Sequence, residues 1–272
     1  MRAGCFALGV AMLLTGCSAS PDAAPVDAAP VRQFAAPAAL DLAGEGKRIA
    51  HILGCFGCHR NNLEGALWDD EPEFGIIAPS NLTRSAARYS DAALERMIRE
   101  GVRPDGSVLW EMPSEAFTKL GDADMKALLA YLNSVPVSGP DRPRPTFGAG
   151  ARQDICEGKL LSAQQKVALE RARAPWAGGS RHDRGRYVAQ MACGECHGPT
   201  LGGNDMPFRP DLIVAGNYSL EEFRRLLRTG ETPDGRDLGL MAEVAKSRFS
   251  HLADEEVEAL YGYLVARARS RN

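Results

Sequence analysis

The sequence predicts an all-α protein built from two tandem copies of one small helical unit, joined by a linker that carries a short helix. Three observations predict it. A Cys-x-x-Cys-His segment occurs twice, as Cys55-Phe56-Gly57-Cys58-His59 and Cys193-Gly194-Glu195-Cys196-His197. The same succession of helix and turn signals follows each copy. The chain is rich in Ala and Leu with only 7% aromatic residues, which leans toward helix over strand. Its 272 residues, 44% apolar, suffice for one or two cores. A charged fraction of 25% excludes wholesale disorder. A net charge of −3 lacks the basic excess of a nucleic-acid binder, so no nucleic-acid partner is expected.

The first element is an address. Arg2 precedes an apolar run from Gly4 to Leu14, too short to span a bilayer but suited to the core of a secretory signal. The run ends in Leu14-Thr15-Gly16-Cys17, which looks like a bacterial lipoprotein signal. On that reading residues 1–16 are removed and Cys17 carries the lipid, leaving the protein anchored at the periplasmic or outer face of a membrane. An ordinary signal cut nearby, with Cys17 incidental, is the alternative. Residues 17–40 follow as an Ala/Pro-rich tether whose scattered prolines favour a semi-extended spacer. No later apolar run is long enough to span, so the remainder is expected to be soluble.

The two units are expected at 41–137 and 180–272. A helix leads into each Cys-x-x-Cys-His segment, and Ile49 and Tyr187 both stand six residues before its first Cys. Downstream, Ser90 and Ser219 are helix N-caps, the second with Glu222 completing a capping box. Leu94, Met97 and Ile98 match Phe223, Leu226 and Leu227 as apolar stripes at helical spacing. Gly101 and Gly230 close these helices, and Pro104-Asp105-Gly106 and Pro233-Asp234-Gly235 turn the chain. Met112 and Met241 keep the same offset. Phe117 and Leu120 then match Phe249 and Leu252, before final helices that start near Asp122 and Asp254. The linker, 138–179, opens with three prolines and carries a short helix from Ser162 to Arg173. The first unit is acidic, with ten basic and fifteen acidic residues, against thirteen and fourteen in the second.

Cys-x-x-Cys-His is the attachment signal for c-type haem. The two thiols add across the haem vinyl groups, and the adjacent His ligates the iron. Cys55, Cys58 and His59 would hold one haem, and Cys193, Cys196 and His197 a second. A thioredoxin-like pair belongs beside a βαβ pattern, which is absent from the sequence. A zinc site would need both cysteine pairs to converge and would leave the two His unexplained. A Met thioether opposite His raises the haem potential and favours electron transfer. Met112 and Met241, matched by the repeat and expected in irregular stretches that fold over the haem, are the candidates for that position. His251 is the rival in the second unit. Met97 and Met125 read as core and Met206 as part of the loop on the His side, while Met191 lies too close to Cys193 to reach the far face. A ligating His has its second ring nitrogen held, commonly by a carbonyl. Pro79 and Pro210 are the expected carbonyl donors. Trp68 and the acidic run Asp69, Asp70, Glu71 and Glu73 lie in the longer first loop, as a docking patch or a solvated face. Cys156 remains outside both sets and reads as buried.

The two Cys-x-x-Cys-His segments, with Met112-Pro113, Phe117, Leu120, Asp122-Ala123-Asp124 and Ala130-Tyr131-Leu132, resemble the class I cytochrome c family in a two-haem form. They are similar to haem domains of cytochrome subunits that serve periplasmic dehydrogenases. The resemblance covers both units but neither the tether nor the linker. It implies two tandem cytochrome c-like domains, covalent haem c at each cysteine pair, His and Met as axial ligands and a Pro carbonyl steadying the His. It departs at Met241, which precedes Ala242 where the first unit has Pro113. Such subunits often carry a third haem, and this sequence holds two attachment segments.

The function expected is periplasmic electron transfer, between a dehydrogenase or other donor and a respiratory cytochrome or oxidase. The protein would bind and tune the irons without catalysing organic chemistry. The acidic first unit suits a basic partner surface. A two-haem peroxidase or a haem-based ligand-binding module is the alternative, and it requires one iron with an open distal position.

Overall fold

The computed structural model describes residues 33–35, 37, 39–67, 71–173, 182–203 and 209–270. Cys17, Trp68, Asp69, Asp70 and Met206 lie outside the described residues. The regular structure of the described residues is almost entirely helical. Among them, no helix is long and apolar enough to cross a membrane.

In the N-terminal half, α1 (Leu42–Ile52) leads into the single turn α2 (Cys55–His59), and α3 (Leu82–Arg88), α4 (Asp91–Glu100), α5 (Ser114–Phe117) and α6 (Asp122–Ser134) follow. The Asp41 carboxylate caps α1 and the Asn81 side chain caps α3. The Ser90 hydroxyl accepts from the Ala93 N–H at the start of α4, and Gly101, in the left-handed region at φ 69°, ends it. Between the halves lie α7 (Ala149–Cys156) and α8 (Ala163–Arg171). In the C-terminal half, α9 (Asp183–His197) runs unbroken through the second Cys-x-x-Cys-His segment. A 3₁₀ turn (Leu212–Asn217), α10 (Leu220–Thr229), α11 (Leu240–Ser247) and α12 (Asp254–Arg269) follow. Ser219 and Glu222 form the capping box of α10, and Gly230 closes it.

Each half is held by a crossing of its first and last helices. α1 meets α6 at Gly46, where any Cβ would collide with the Ala127 carbonyl oxygen. α9 meets α12 at Gly185, where it would collide with that of Ala259. Only glycine allows backbones so close. The crossings place Arg48 and Tyr187, not Ile49 and Tyr187, at equivalent points, because the kink before α2 inserts one residue. The guanidinium of Arg99 on α4 donates to the Leu120 carbonyl and to Asp122, and Arg228 on α10 likewise binds the Ser250 carbonyl and Asp254. Each arginine ties its helix to the turn before the last helix.

The halves touch through reciprocal contacts. Arg48 on α1 donates to Glu256 on α12 at 2.7 Å, and the Tyr187 hydroxyl on α9 donates to Asp124 on α6 at 2.6 Å. Residues expected in the tether complete this joint. The Phe34 N–H donates to Asp124 and the Ala35 N–H to Glu256, and the Phe34 ring meets Tyr187 edge-on at 5.3 Å. Phe34 is 2% exposed, so the end of the spacer is docked into the joint. His51 stacks on His251 across the same contact, with ring centroids 3.9 Å apart.

The segment expected as a linker packs on the N-terminal half. The Asn81 amide donates to the Ser138 and Pro140 carbonyls, and Arg142 donates to the Glu64 and Gly65 carbonyls. A two-residue antiparallel pairing joins β1 (Gly75–Ile76) to β2 (Thr146–Phe147), and the Phe147 ring meets Trp110. Its prolines deny helix and leave an extended strap. The expected helix is α8, capped by Ser162 and Gln165. Cys156, expected to be buried, is exposed at the end of α7.

Candidate functional site

In the N-terminal half, α2 presents Cys55, Cys58 and His59 to one apolar cleft that Met112 also lines. Leu94, Met97, Phe117, Leu128 and Leu132 form its walls. His59 is buried, and its Nδ1 lies 2.7 Å from the Ser80 carbonyl oxygen. A carbonyl only accepts, so Nδ1 carries the proton and the Nε2 lone pair is free for a metal. Burial lowers the His59 pKa, which keeps the ring neutral. Among the described residues the two thiols form no disulfide, and burial pushes Cys55 up to about 12. An apolar cleft with a thiol pair, a nitrogen ligand fixed by its second nitrogen and a thioether fits a covalently attached haem. Among the described residues, no three His, Cys, Asp or Glu side chains gather as a metal-ion site.

The C-terminal half repeats this frame with differences. His197 is buried, its Nδ1 is 2.8 Å from the Pro210 carbonyl oxygen, and burial lowers its pKa. Among the described residues Cys193 and Cys196 form no disulfide, and burial pushes Cys193 up to about 12. This half therefore repeats the thiol pair and the carbonyl-held imidazole.

The carbonyl partner in the first half is Ser80, not Pro79. The Leu82 N–H donates to the Leu63 carbonyl and the Leu212 N–H to that of Leu201, so Leu82 and Leu212 are equivalent. Asn81 and Asp211 then cap the next helical turn in each half, and the residue before the cap supplies the carbonyl. That residue is Ser80 in one half and Pro210 in the other. Matching proline to proline shifted the register by one. The Asn81-Leu82 and Asp211-Leu212 pairs were the signal that would have set it.

Met112 sits in an irregular stretch just before α5, half-buried at the cleft. Met241 does not lie in an irregular stretch. It occupies the first turn of α11, half-buried against the core. The three residues by which the second half is longer between Met241 and Phe249 are absorbed by this helix. Met97, Met125 and Met191 are buried core residues. His251 is engaged by His51 across the joint, and His182 is half-buried just before α9. Glu71 and Glu73 are solvent-exposed.

The sequence is similar to those of known proteins. The cytochrome c family model matches residues 43–136. The chain is 28% identical to the fructose dehydrogenase cytochrome subunit of Gluconobacter japonicus, over 88% of this chain and 55% of that protein. It is 26% identical to the gluconate 2-dehydrogenase cytochrome c subunit of Pantoea cypripedii, over 82% and 59%. It is 25% identical to the cytochrome c subunit of the quinone-type alcohol dehydrogenase of Gluconacetobacter polyoxogenes, over 82% and 55%. The chain spans about half the length of the cytochrome subunits it matches. Residues 43–136 thus belong to the cytochrome c family, and the chain is homologous to cytochrome c subunits of dehydrogenases.

Proposed function

We propose that the chain is a two-haem electron-transfer protein in which both halves, 41–137 and 180–272, are cytochrome c domains. The observation that carries this is the repeated donor set: a thiol pair and a carbonyl-held imidazole, in the same backbone frame, on each side of the joint. Haem c, when bound, supplies a reversible one-electron change at its iron. Cys55 and Cys58, and Cys193 and Cys196, fix it to the chain. The Ser80 and Pro210 carbonyls hold His59 and His197 in the ligating tautomer. The apolar walls of the first cleft exclude water and favour the less charged, reduced state. Met112 and Met241 would each offer a thioether to the iron.

The partner is a dehydrogenase that delivers electrons taken from its substrate, with a respiratory cytochrome or oxidase as acceptor. The relatives' names support an enzyme oxidising an alcohol, a sugar or a sugar acid. Removal of residues 1–16 and lipid on Cys17 place the protein at the outer face of a membrane, in the periplasm. The test is the spectrum of the oxidised mature protein. Met–iron charge-transfer absorption from both haems, with no reaction toward peroxide or carbon monoxide, is the expected result. A high-spin iron that reacts with either would favour a two-haem peroxidase or ligand-binding module instead, with Met241 as the first suspect.

A further inference from the structure

Arg248 lies between Gly54, just before the first attachment segment, and Glu195, inside the second. It follows α11 in the C-terminal half, yet its Nε donates to the Ile52 carbonyl at the end of α1, 3.1 Å away. Its Nη1 donates to Glu195, inside the second Cys-x-x-Cys-His segment, at 3.0 Å. Its Nη2 is buried with no hydrogen-bond partner among the described residues. The guanidinium also rests on Gly54, the residue before Cys55. A Cβ there would stand 2.6 Å from Arg248 Cζ, and Gly54 is left-handed at φ 80°. The kink that separates α1 from α2 thus makes room for the arginine. Glu195 in turn lines the cleft of the other half.

The charges around the four thiols are unequal. Arg248 acts on Cys55, Cys58, Cys193 and Cys196, and Glu195 acts with opposite sign on Cys55, Cys58 and Cys196, ahead of Arg248 at Cys58 and Cys196; Arg60 and Glu111 also act on Cys58, and Arg209 on Cys196. The Arg248 side chain is 12% exposed and that of Glu195 32%. The guanidinium is thus the more deeply buried member of an ion pair whose two charges act on the attachment segments with opposite sign.

We propose that Arg248 is a shared positioning residue that raises the reduction potentials of both haems together, and that Glu195 opposes it. The proposal rests on the two-haem reading. Each iron gains one electron on reduction, so the charge of each site falls by one. A fixed cation close to both attachment segments favours the reduced state of both, and a fixed anion disfavours it. The same side chain clamps the end of α1 to α9, so it also sets the separation of the two attachment segments.

The test is a potentiometric titration of the full-length holoprotein, after a pyridine haemochrome count of haem per chain. In Arg248→Gln both midpoints should shift negative. In Glu195→Gln, at a partly exposed position that should fold normally, both should shift positive. Arg248→Lys should restore most of the native values. Loosening of the joint alone would move both variants the same way, so opposite signs identify the electrostatic role. Shifts of one sign, a shift confined to one haem, or no shift would overturn the proposal while two haems per chain leave the two-haem reading intact. Fewer than two haems in the native chain would overturn both.

Discussion

The two halves use one frame and finish it differently. In the N-terminal half the helix entering Cys55 is broken at Gly54, the strap from Ser138 to Phe147 packs against the cleft, and Met112 lies in an irregular loop. In the C-terminal half α9 continues unbroken to His197, a proline supplies the carbonyl, and Met241 begins a helix. The features kept are those that fix the imidazole and the thiols. The features varied are those that set solvent access, local charge and the approach of the distal residue. On the two-haem reading proposed above, the two sites would differ in potential while keeping the same attachment residues.

The sharpest break of the comparison removes one attachment site at a time. Replacing Cys55 and Cys58 by Ser, or Cys193 and Cys196, should each leave half of the covalent haem, read as haem per chain. A variant that keeps both haems would show that its pair is not an attachment site.

The joint offers the next contrast, since Arg48 and Tyr187 occupy equivalent positions with different chemistry. Arg48, whose side chain is 9% exposed, is bound by both Glu45 and Glu256. Arg48→Met strands two buried carboxylates and should cost about 3–5 kcal/mol. Tyr187→Phe removes one hydroxyl that donates to Asp124 and accepts from the Gly121 N–H, and should cost about 1–3 kcal/mol. Denaturant unfolding should rank Arg48→Met well below Tyr187→Phe, and equal losses would contradict the contrast. The crossings should behave alike instead. Gly46→Ala and Gly185→Ala each force the helix pair apart, at about 1–3 kcal/mol, seen as similar drops in Tm.

The smallest effect is in pH. Burial, then the charges of His251 and Lys47, hold the His51 pKa down at about 4 from 6.5. Between those values the folded chain binds fewer protons than the unfolded one, so stability falls as pH drops from 6.5 toward 4. Asp124 is opposite, raised by burial from 3.8 to about 6, so its folded form holds extra protons in that window and gains stability as pH falls through it. His51→Asn should flatten the acid-side loss, by about 1 kcal/mol or less at this half-buried, partly screened contact. A loss unchanged between pH 7 and 5 would exclude His51 as its source.

Much of this was legible in the sequence because the signals are local. Capping serines, closing glycines and the Cys-x-x-Cys-His spacing depend on a few adjacent residues, and α4, α10 and α8 fall where those signals put them. What failed depended on distant contacts. The strap looked like a linker because prolines report an absence of helix, not the surface they lie on. Phe34 and Ala35 looked like spacer because their partners, Asp124 and Glu256, lie far along the chain. Ser80 was missed because a backbone carbonyl carries no residue signature, and proline drew the alignment to itself. Met241 was misplaced because three inserted residues can lengthen a helix as readily as a loop. Arg248 has no motif at all, and only the meeting of the halves gives it a role.

Covalent haem per polypeptide is the most direct measurement of whether both halves are cytochrome c domains. Mature protein made in a host that attaches haem c should retain its colour through acid–acetone extraction and give two haems per chain by pyridine haemochrome. One haem per chain, or pigment that extracts completely, would contradict it.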